Sequence, residues 1–365
     1  MNAAFWQGRR VFVTGHTGFK GAWLCLWLRK LGAKVCGYAL PPPTMPSLYA
    51  LADAGSGIES LLGDVRDAAH LTRALSEFAP EVVLHMAARS VVLSSHEDPA
   101  DTFATNVMGT VNLLDAVRRA GVASRRLAVV NVTTDKVYLN QRWPWGYRET
   151  DTLGGRDPYS SSKACSELVT QAYVHSFFAP RAYAEHGVAV GSARAGNVVG
   201  GGDWTPHQLV PAIVAAATSG SPVVLRNPSA VRPWQYVLDC LHGYLTLAEQ
   251  LHARPDAVTG DWNFGPAAEQ CFTVAQVAES LARHWHHDTH WVQAAGVQSQ
   301  EEHQLRLDSS KAGEALPWRC ELDTATALAW VAQWHQQVHA GESARVVSES
   351  QIGSFMARLA SNAAA

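Results

Sequence analysis

No apolar run in this chain reaches the roughly 18 residues that a membrane-spanning helix needs. Residues 209–220 come nearest, but Pro211 and the Thr218-Ser219-Gly220 ending predict a short helix instead. A signal-peptide layout is missing too: an apolar strand begins at Val11 and runs straight into a glycine loop, so a cytoplasmic protein is expected. Charge of one sign is not in excess. The net charge of −3 gives no electrostatic case for nucleic acid or an anionic membrane. The six cysteines, at 25, 36, 165, 240, 271 and 320, have no Cys-x-x-Cys spacing and predict reduced, buried thiols. Of the histidines, His284, His286, His287 and His290 cluster, but no carboxylate or cysteine ligand pattern accompanies them. They read as a wet helix end, and no metal is expected. Repeats and low-complexity segments are absent apart from an alanine-rich tail after Ser361.

What the chain does have is core. With 365 residues and 47% hydrophobic content it can build one large α/β unit or two intimate lobes. Strand-like and helix-like segments alternate through the first half. Arg10-Val11-Phe12-Val13-Thr14 predicts a strand, followed by a helix to about Leu31 that Gly32 ends. Further strands are expected at 34–40, just before Asp64, at 81–88, at 127–130 and at 188–193, with a long amphipathic helix over 106–120. Strands alternating with helices predict a doubly wound parallel sheet, a Rossmann α/β fold. Past Asn197 the rhythm changes. The predicted division is a nucleotide-binding domain over 1–190, with a return segment near 232–255, and a smaller mixed α/β substrate lobe over 191–365.

Between the first strand and helix stands Gly15-His16-Thr17-Gly18-Phe19-Lys20-Gly21. Glycines at this spacing allow a tight turn and close backbone approach to a pyrophosphate, with N–H donors at the helix start. Gly15, Thr17, Gly18, Phe19 and Gly21 are therefore candidates for holding a dinucleotide. Ala87 and Ala88, small residues after the fourth strand, and Asp64 with Val65 join them. Asp64 either accepts from an adenine amino group or caps the helix near Asp67. No acidic residue ends the second strand, where Pro41-Pro42-Pro43 follows, so the chain itself leaves NAD and NADP open.

The densest chemistry lies between 131 and 163. A buried-strand pattern, Leu127-Ala128-Val129-Val130, leads to Asn131-Val132-Thr133-Thr134-Asp135-Lys136. Asp157-Pro158 then reads as an N-cap with proline at the first helical position. Tyr159 and Lys163 thereby share one helical face. A lysine near a phenol lowers its pKa, which would let Tyr159 take a proton from a sugar or alcohol hydroxyl. Arg194, Arg226, Arg232 and Arg306 are candidate phosphate anchors, since guanidinium forks match phosphate geometry.

Gly-x-x-Gly-x-x-Gly with Tyr-x-x-x-Lys resembles the extended short-chain dehydrogenase/reductases that act on nucleotide sugars. The motifs at 13–21, 106–110, 145–149, 194–204, 232–235 and 262–266 are similar to those of the CDP-glucose 4,6-dehydratases, as is Thr134-Asp135-Lys136, where related dTDP- and GDP-sugar enzymes carry Asp-Glu. The resemblance implies NAD and a redox-neutral hydro-lyase reaction giving a 4-keto-6-deoxy sugar. It implies that Tyr159, assisted by Lys163, takes the 4-hydroxyl proton. Thr134 would bond the sugar near C4, Lys136 would be the base at C5, and Asp135 would protonate the departing 6-hydroxyl. Asn197, Arg194, Arg232 and Arg306 would contact substrate. A homodimer or homotetramer through the 106–120 and 159–177 helices is expected. The chain departs from the family at Arg89, Leu93 and His96, where glutamine, arginine and tyrosine are usual. A nucleotide-sugar epimerase, or a dehydratase for another NDP-sugar, is the alternative.

Overall fold

The computed structural model describes residues 2–120, 126–267, 270–285, 290–294 and 304–364. Six strands follow one another through its first half: β1 (Arg10–Thr14), β2 (Lys34–Ala39), β3 (Glu59–Leu62), β4 (Val82–His85), β5 (Leu127–Val132) and β6 (Val188–Ala195). Together with Gly260–Phe264 they form a seven-stranded sheet, ordered Gly260–Phe264, β6, β5, β4, β1, β2, β3, with every pairing parallel. The order reverses between β1 and β4, and a crevice opens at the strand C-termini there.

Side chains alternate across this sheet, and both faces are buried. Val11, Val13, Val82, Leu84, Ala128 and Val130 enter one core; Phe12, Val83, Leu127 and Val129 enter the other. The Phe19–Lys30 helix is buried without a break from Gly21 to Leu28. A helix apolar all round needs cover on its outer side as well. The Val237–Ala253 and Ala344–Ala364 helices both pack on it.

β6 runs across residue 190, and Gly260–Phe264 joins the same sheet from the later half. One expectation needs correction. The helix expected to start at Asn106 begins at Pro99, capped by Asp98, and passes through a π-helical turn at Ala104–Met108 before Gly109–Arg119. The later half adds three two-stranded ribbons and the terminal helices Thr324–His339 and Ala344–Ala364. Among the described residues no helix is long and apolar enough to cross a membrane, and no three histidines, cysteines or carboxylates converge as a metal group. His286 and His287 lie outside the described residues.

Candidate active site

Gly15 has φ +79°, and a methyl group there would stand 2.8 Å from the backbone nitrogen of Ala87. A methyl on Gly21 would collide with the Gly15 carbonyl and His16. The loop therefore lies against the exit of β4 with no room for side chains at these two glycines. Its anchors are the Gly15 N–H to Tyr38 O, 2.9 Å, and the Thr17 hydroxyl to Leu40 O, 2.8 Å. Thr14 Oγ1 accepts from the N–H groups of Met86 and Ala87, 3.1 Å each, and draws the two loops together. His16 turns away from the cleft onto Gly37 and meets Ser60 Oγ at 2.8 Å. Burial pulls its pKa down to about 4, so it is neutral. Gly18 caps the Phe19–Lys30 helix without a side chain, leaving first-turn N–H donors at the crevice. Gly21→Ala is expected to cost about 3 kcal/mol of stability by overpacking; a denaturation midpoint equal to wild type would contradict the close approach.

The cleft, about 750 Å³, is lined by all the residues expected to hold a dinucleotide: Gly15, Thr17, Gly18, Phe19, Gly21, Asp64, Val65, Ala87, Ala88, Tyr159 and Lys163. Thr134, Asp135, Lys136 and Asn197 line it too. The glycine cradle and helix N-terminus thus fit a dinucleotide pyrophosphate. Asp67, not Asp64, caps the Ala68–Phe78 helix, leaving Asp64 facing the cleft, where it accepts from Arg66.

After β5 the chain makes a short 3-10 turn, Asp135–Val137. Thr134 Oγ1 accepts from the Lys136 N–H at 3.3 Å and donates to Asp135 Oδ1 at 3.1 Å. Asp135 is buried, and its Oδ2 has no partner among the described residues. Burial raises this carboxyl's pKa, against the charges of Lys136 and Arg232 and the Thr134 bond. Its neutral acid form is favoured accordingly. Lys136 Nζ lies 5.9 Å from the centre of the Tyr159 ring.

Asp157 caps the Pro158–Phe177 helix by accepting from the Ser160 N–H at 2.9 Å, with Pro158 in the first turn. Tyr159 and Lys163 are both buried. The expectation that Lys163 lowers the phenol pKa does not hold here. Burial drives the Tyr159 phenol up, joined by the negative charges of Asp135 and Asp157 and opposed by a hydrogen bond with Thr134. Lys163 Nζ donates to Val132 O at 2.8 Å. Burial and the charge of Lys20 draw its amine down to about 7, against the pull of Glu167.

That amine links folding to pH. An unfolded lysine holds its proton to about pH 10.4, so between about 7 and that value the unfolded chain binds more protons than the folded one. The contribution of Lys163 to stability then rises with pH through this window. The melting temperature of wild type minus that of Lys163→Met should climb from about pH 7 to about pH 10. A flat or falling difference would exclude a lowered amine.

The arginine expectations fare differently. Arg194 is fully buried behind the cleft wall, paired with Glu167 and with Asp261 at 3.2 Å, so it is not a substrate contact. Its partners lie far along the chain, which is why spacing did not reveal them. Arg232 is buried and donates to Val231 O at 2.9 Å, while its charge acts on Asp135. Arg306 donates to Pro144 O at 3.2 Å. Neither lines the cleft. Asn197 does, with its Oδ1 buried and lacking a partner among the described residues. A polar rim went unread in the sequence: Arg66 pairs with Asp64 and Asp101, and Arg89 Nε stands 3.2 Å from Asp101. Lys20, inside the glycine motif, also lines the cleft and reaches Tyr244 OH at 3.3 Å.

The chain is similar to known proteins. The chain is 45% identical to a CDP-glucose 4,6-dehydratase of Salmonella typhimurium over 96% of this chain and 97% of that protein. It is 34% identical to a dTDP-glucose 4,6-dehydratase of Xanthomonas campestris over 62% of this chain and 64% of that one. Among solved structures, a double mutant of DesIV, a dTDP-glucose 4,6-dehydratase from Streptomyces venezuelae with NAD bound, superposes with a TM-score of 0.75 at 25% identity, covering 91% and 98% of the two chains. A UDP-glucose 4-epimerase from Thermotoga maritima shares the fold, with a TM-score of 0.73 at 20% identity over 90% and 99%. The GDP-mannose 4,6 dehydratase family pattern matches residues 12–329, and the chain belongs to that family.

Proposed function

We propose that the protein is an NAD-dependent nucleotide-sugar 4,6-dehydratase that converts CDP-glucose to CDP-4-keto-6-deoxyglucose and water. The observation that carries this reading is the convergence of Thr134, Asp135, Lys136, Tyr159 and Lys163 on one wall of the glycine-cradled cleft. The near full-length likeness to the Salmonella typhimurium enzyme supports the nucleotide and the sugar.

NAD would be held by the Gly15–Gly21 loop and the start of the Phe19–Lys30 helix, where it would supply a hydride acceptor for the sugar C4 and a hydride donor for C6. The chain's own groups move the protons. Tyr159 is placed to take the proton of the 4-hydroxyl, a step that turns its phenolate into the phenol. A 4-ketone makes the C5 hydrogen acidic; Lys136 removes that proton and returns one to C5 as the hydride reaches C6. Asp135 suits the opposite task. Burial raises its pKa, which favours the acid form and suits it to donate to the departing 6-hydroxyl. Thr134 joins Tyr159 and Asp135 by hydrogen bonds and orients the sugar near C4.

Exposed apolar side chains on the two helices flanking this wall, Met108, Leu168 and Phe177, are 50%, 54% and 47% accessible and support a homodimer through those helices.

Mass spectrometry of products from a panel of NDP-hexoses tests the function. CDP-glucose is expected to lose one water. Loss of water from a different NDP-sugar instead would make the protein a dehydratase for that sugar and would point to the Arg89–His96 segment, whose Arg89, Ser90, Val91 and Ser94 line the cleft. A product of unchanged mass would make the protein an epimerase.

A further inference from the structure

The dehydration step asks for two groups on a turn to be held against two groups on a helix. The turn carrying Asp135 and Lys136 hangs from the tip of β5, and tips of strands are not rigid by themselves. What fixes it lies behind the cleft wall. Thr133, just before the turn, donates its hydroxyl to Glu167 Oε1 at 2.5 Å. Tyr138, just after it, accepts at its hydroxyl from Arg194 Nη1 at 2.7 Å. Arg194 Nε reaches both Glu167 oxygens at 2.9 Å, and Nη2 reaches Oε2. Both side chains are 0% exposed. Entry to and exit from the turn are thus tied to one ion pair. Glu167 in turn sits one helical turn beyond Lys163 on the helix that carries Tyr159.

We propose that Glu167 and Arg194 form a buried brace that positions the Thr134–Lys136 turn against the Tyr159–Lys163 face, which makes both positioning residues for water loss. The inference rests on the reaction proposed above. A plain stability pair would need only the carboxylate–guanidinium contact. Here the guanidinium spends a further donor on Tyr138, beyond the sheet, and the carboxylate accepts from Thr133. Asp261, 3.2 Å from Nη2, supplies a second negative charge to the same cation. Neither Glu167 nor Arg194 lines the cleft, so any effect on chemistry passes through the turn or through Lys163, whose amine Glu167's charge pulls upward.

The test uses the full chain with NAD and three variants: Arg194→Lys, Glu167→Gln and the double change Arg194→Met with Glu167→Met. The double change removes both charges together, because an apolar replacement of a buried pair often keeps stability where breaking it does not. Two measurements are made. Amide hydrogen exchange, followed by mass spectrometry without sugar, is expected to rise about tenfold in peptides covering 133–139 and to stay unchanged in β1 and β4. In turnover of CDP-glucose, water loss is expected to fall about 10²-fold, with KM within about threefold and reduced nicotinamide accumulating, because elimination slows more than oxidation. Exchange at 133–139 equal to wild type in the single variants would overturn the brace. So would wild-type turnover by a folded double variant, or an equal fall in oxidation and water loss. Failure of wild type to dehydrate any NDP-glucose would remove the reaction reading, and the exchange measurement would still decide the brace.

Discussion

Tyr159→Phe is expected to lower formation of the 4-keto product by about 10³-fold while NAD affinity stays within about threefold of wild type. The lost atom is one hydroxyl oxygen, and the ring that remains still fills its buried place beside Ser95, whose Oγ accepts from the Tyr159 N–H at 3.2 Å. Packing and the dinucleotide cradle are therefore preserved. What disappears is the acceptor for the sugar's 4-hydroxyl proton. In the protein alone that phenol is hard to ionise, because burial and Asp135 both disfavour the phenolate. Lys163 shares the helix face, and Lys136 Nζ lies 5.9 Å from the ring centre. The oxidised nicotinamide, when bound, would add a positive charge that favours the phenolate. The check is the absorbance of the 4-keto product in base, alongside NAD binding measured by calorimetry. Full turnover by the variant would take the proton acceptor away from Tyr159.

Lys136→Met should separate the two halves of the reaction. Product formation is expected to fall by about 10²- to 10³-fold, the range of a lost general base, while oxidation at C4 continues slowly and reduced nicotinamide builds up to the level of enzyme. Asp135 strengthens this expectation. Its Oδ2 faces Gly196, where an added methyl would lie 3.2 Å away, and it has no protein partner among the described residues. The acid is poised, but without the neighbouring amine no C5 proton leaves. Product at the wild-type rate would reduce Lys136 to an ion-pair partner of Asp135.

Much of this was legible in the chain because it is local. Strand, glycine loop and helix follow one another within a few residues, and Asp157-Pro158 announces the helix that puts Tyr159 and Lys163 on one face. Each signal is a contact between near neighbours, which spacing records. Asp98-Pro99 carried the same announcement for the preceding helix, and the amphipathic pattern further on drew the start to 106 instead. Arg194 was illegible for a different reason. An arginine at a strand end reads as a phosphate anchor, and its inward turn depends on Glu167 and Asp261, brought together only by the finished sheet. The phenol of Tyr159 was misjudged through burial: a charge four residues away is visible in a sequence, but the low-dielectric surroundings that outweigh it are not. The place of the last strand in the sheet was hidden because the chain leaves after β6 and returns at Gly260–Phe264, across a lobe of different texture.

The wrapping of the Phe19–Lys30 helix bears on how the protein is made. Trp27 packs edge-on to Phe355 at 5.6 Å, and the Gln351 side chain on the same final helix meets the buried hydroxyl of Tyr236. The first nucleotide-binding element is therefore sealed by a helix, Ala344–Ala364, from the far end of the described fold. A nascent chain still short of residue 344 would present Trp27 and its neighbours to water. Until that helix has been made, the dinucleotide cradle is built on an open seam.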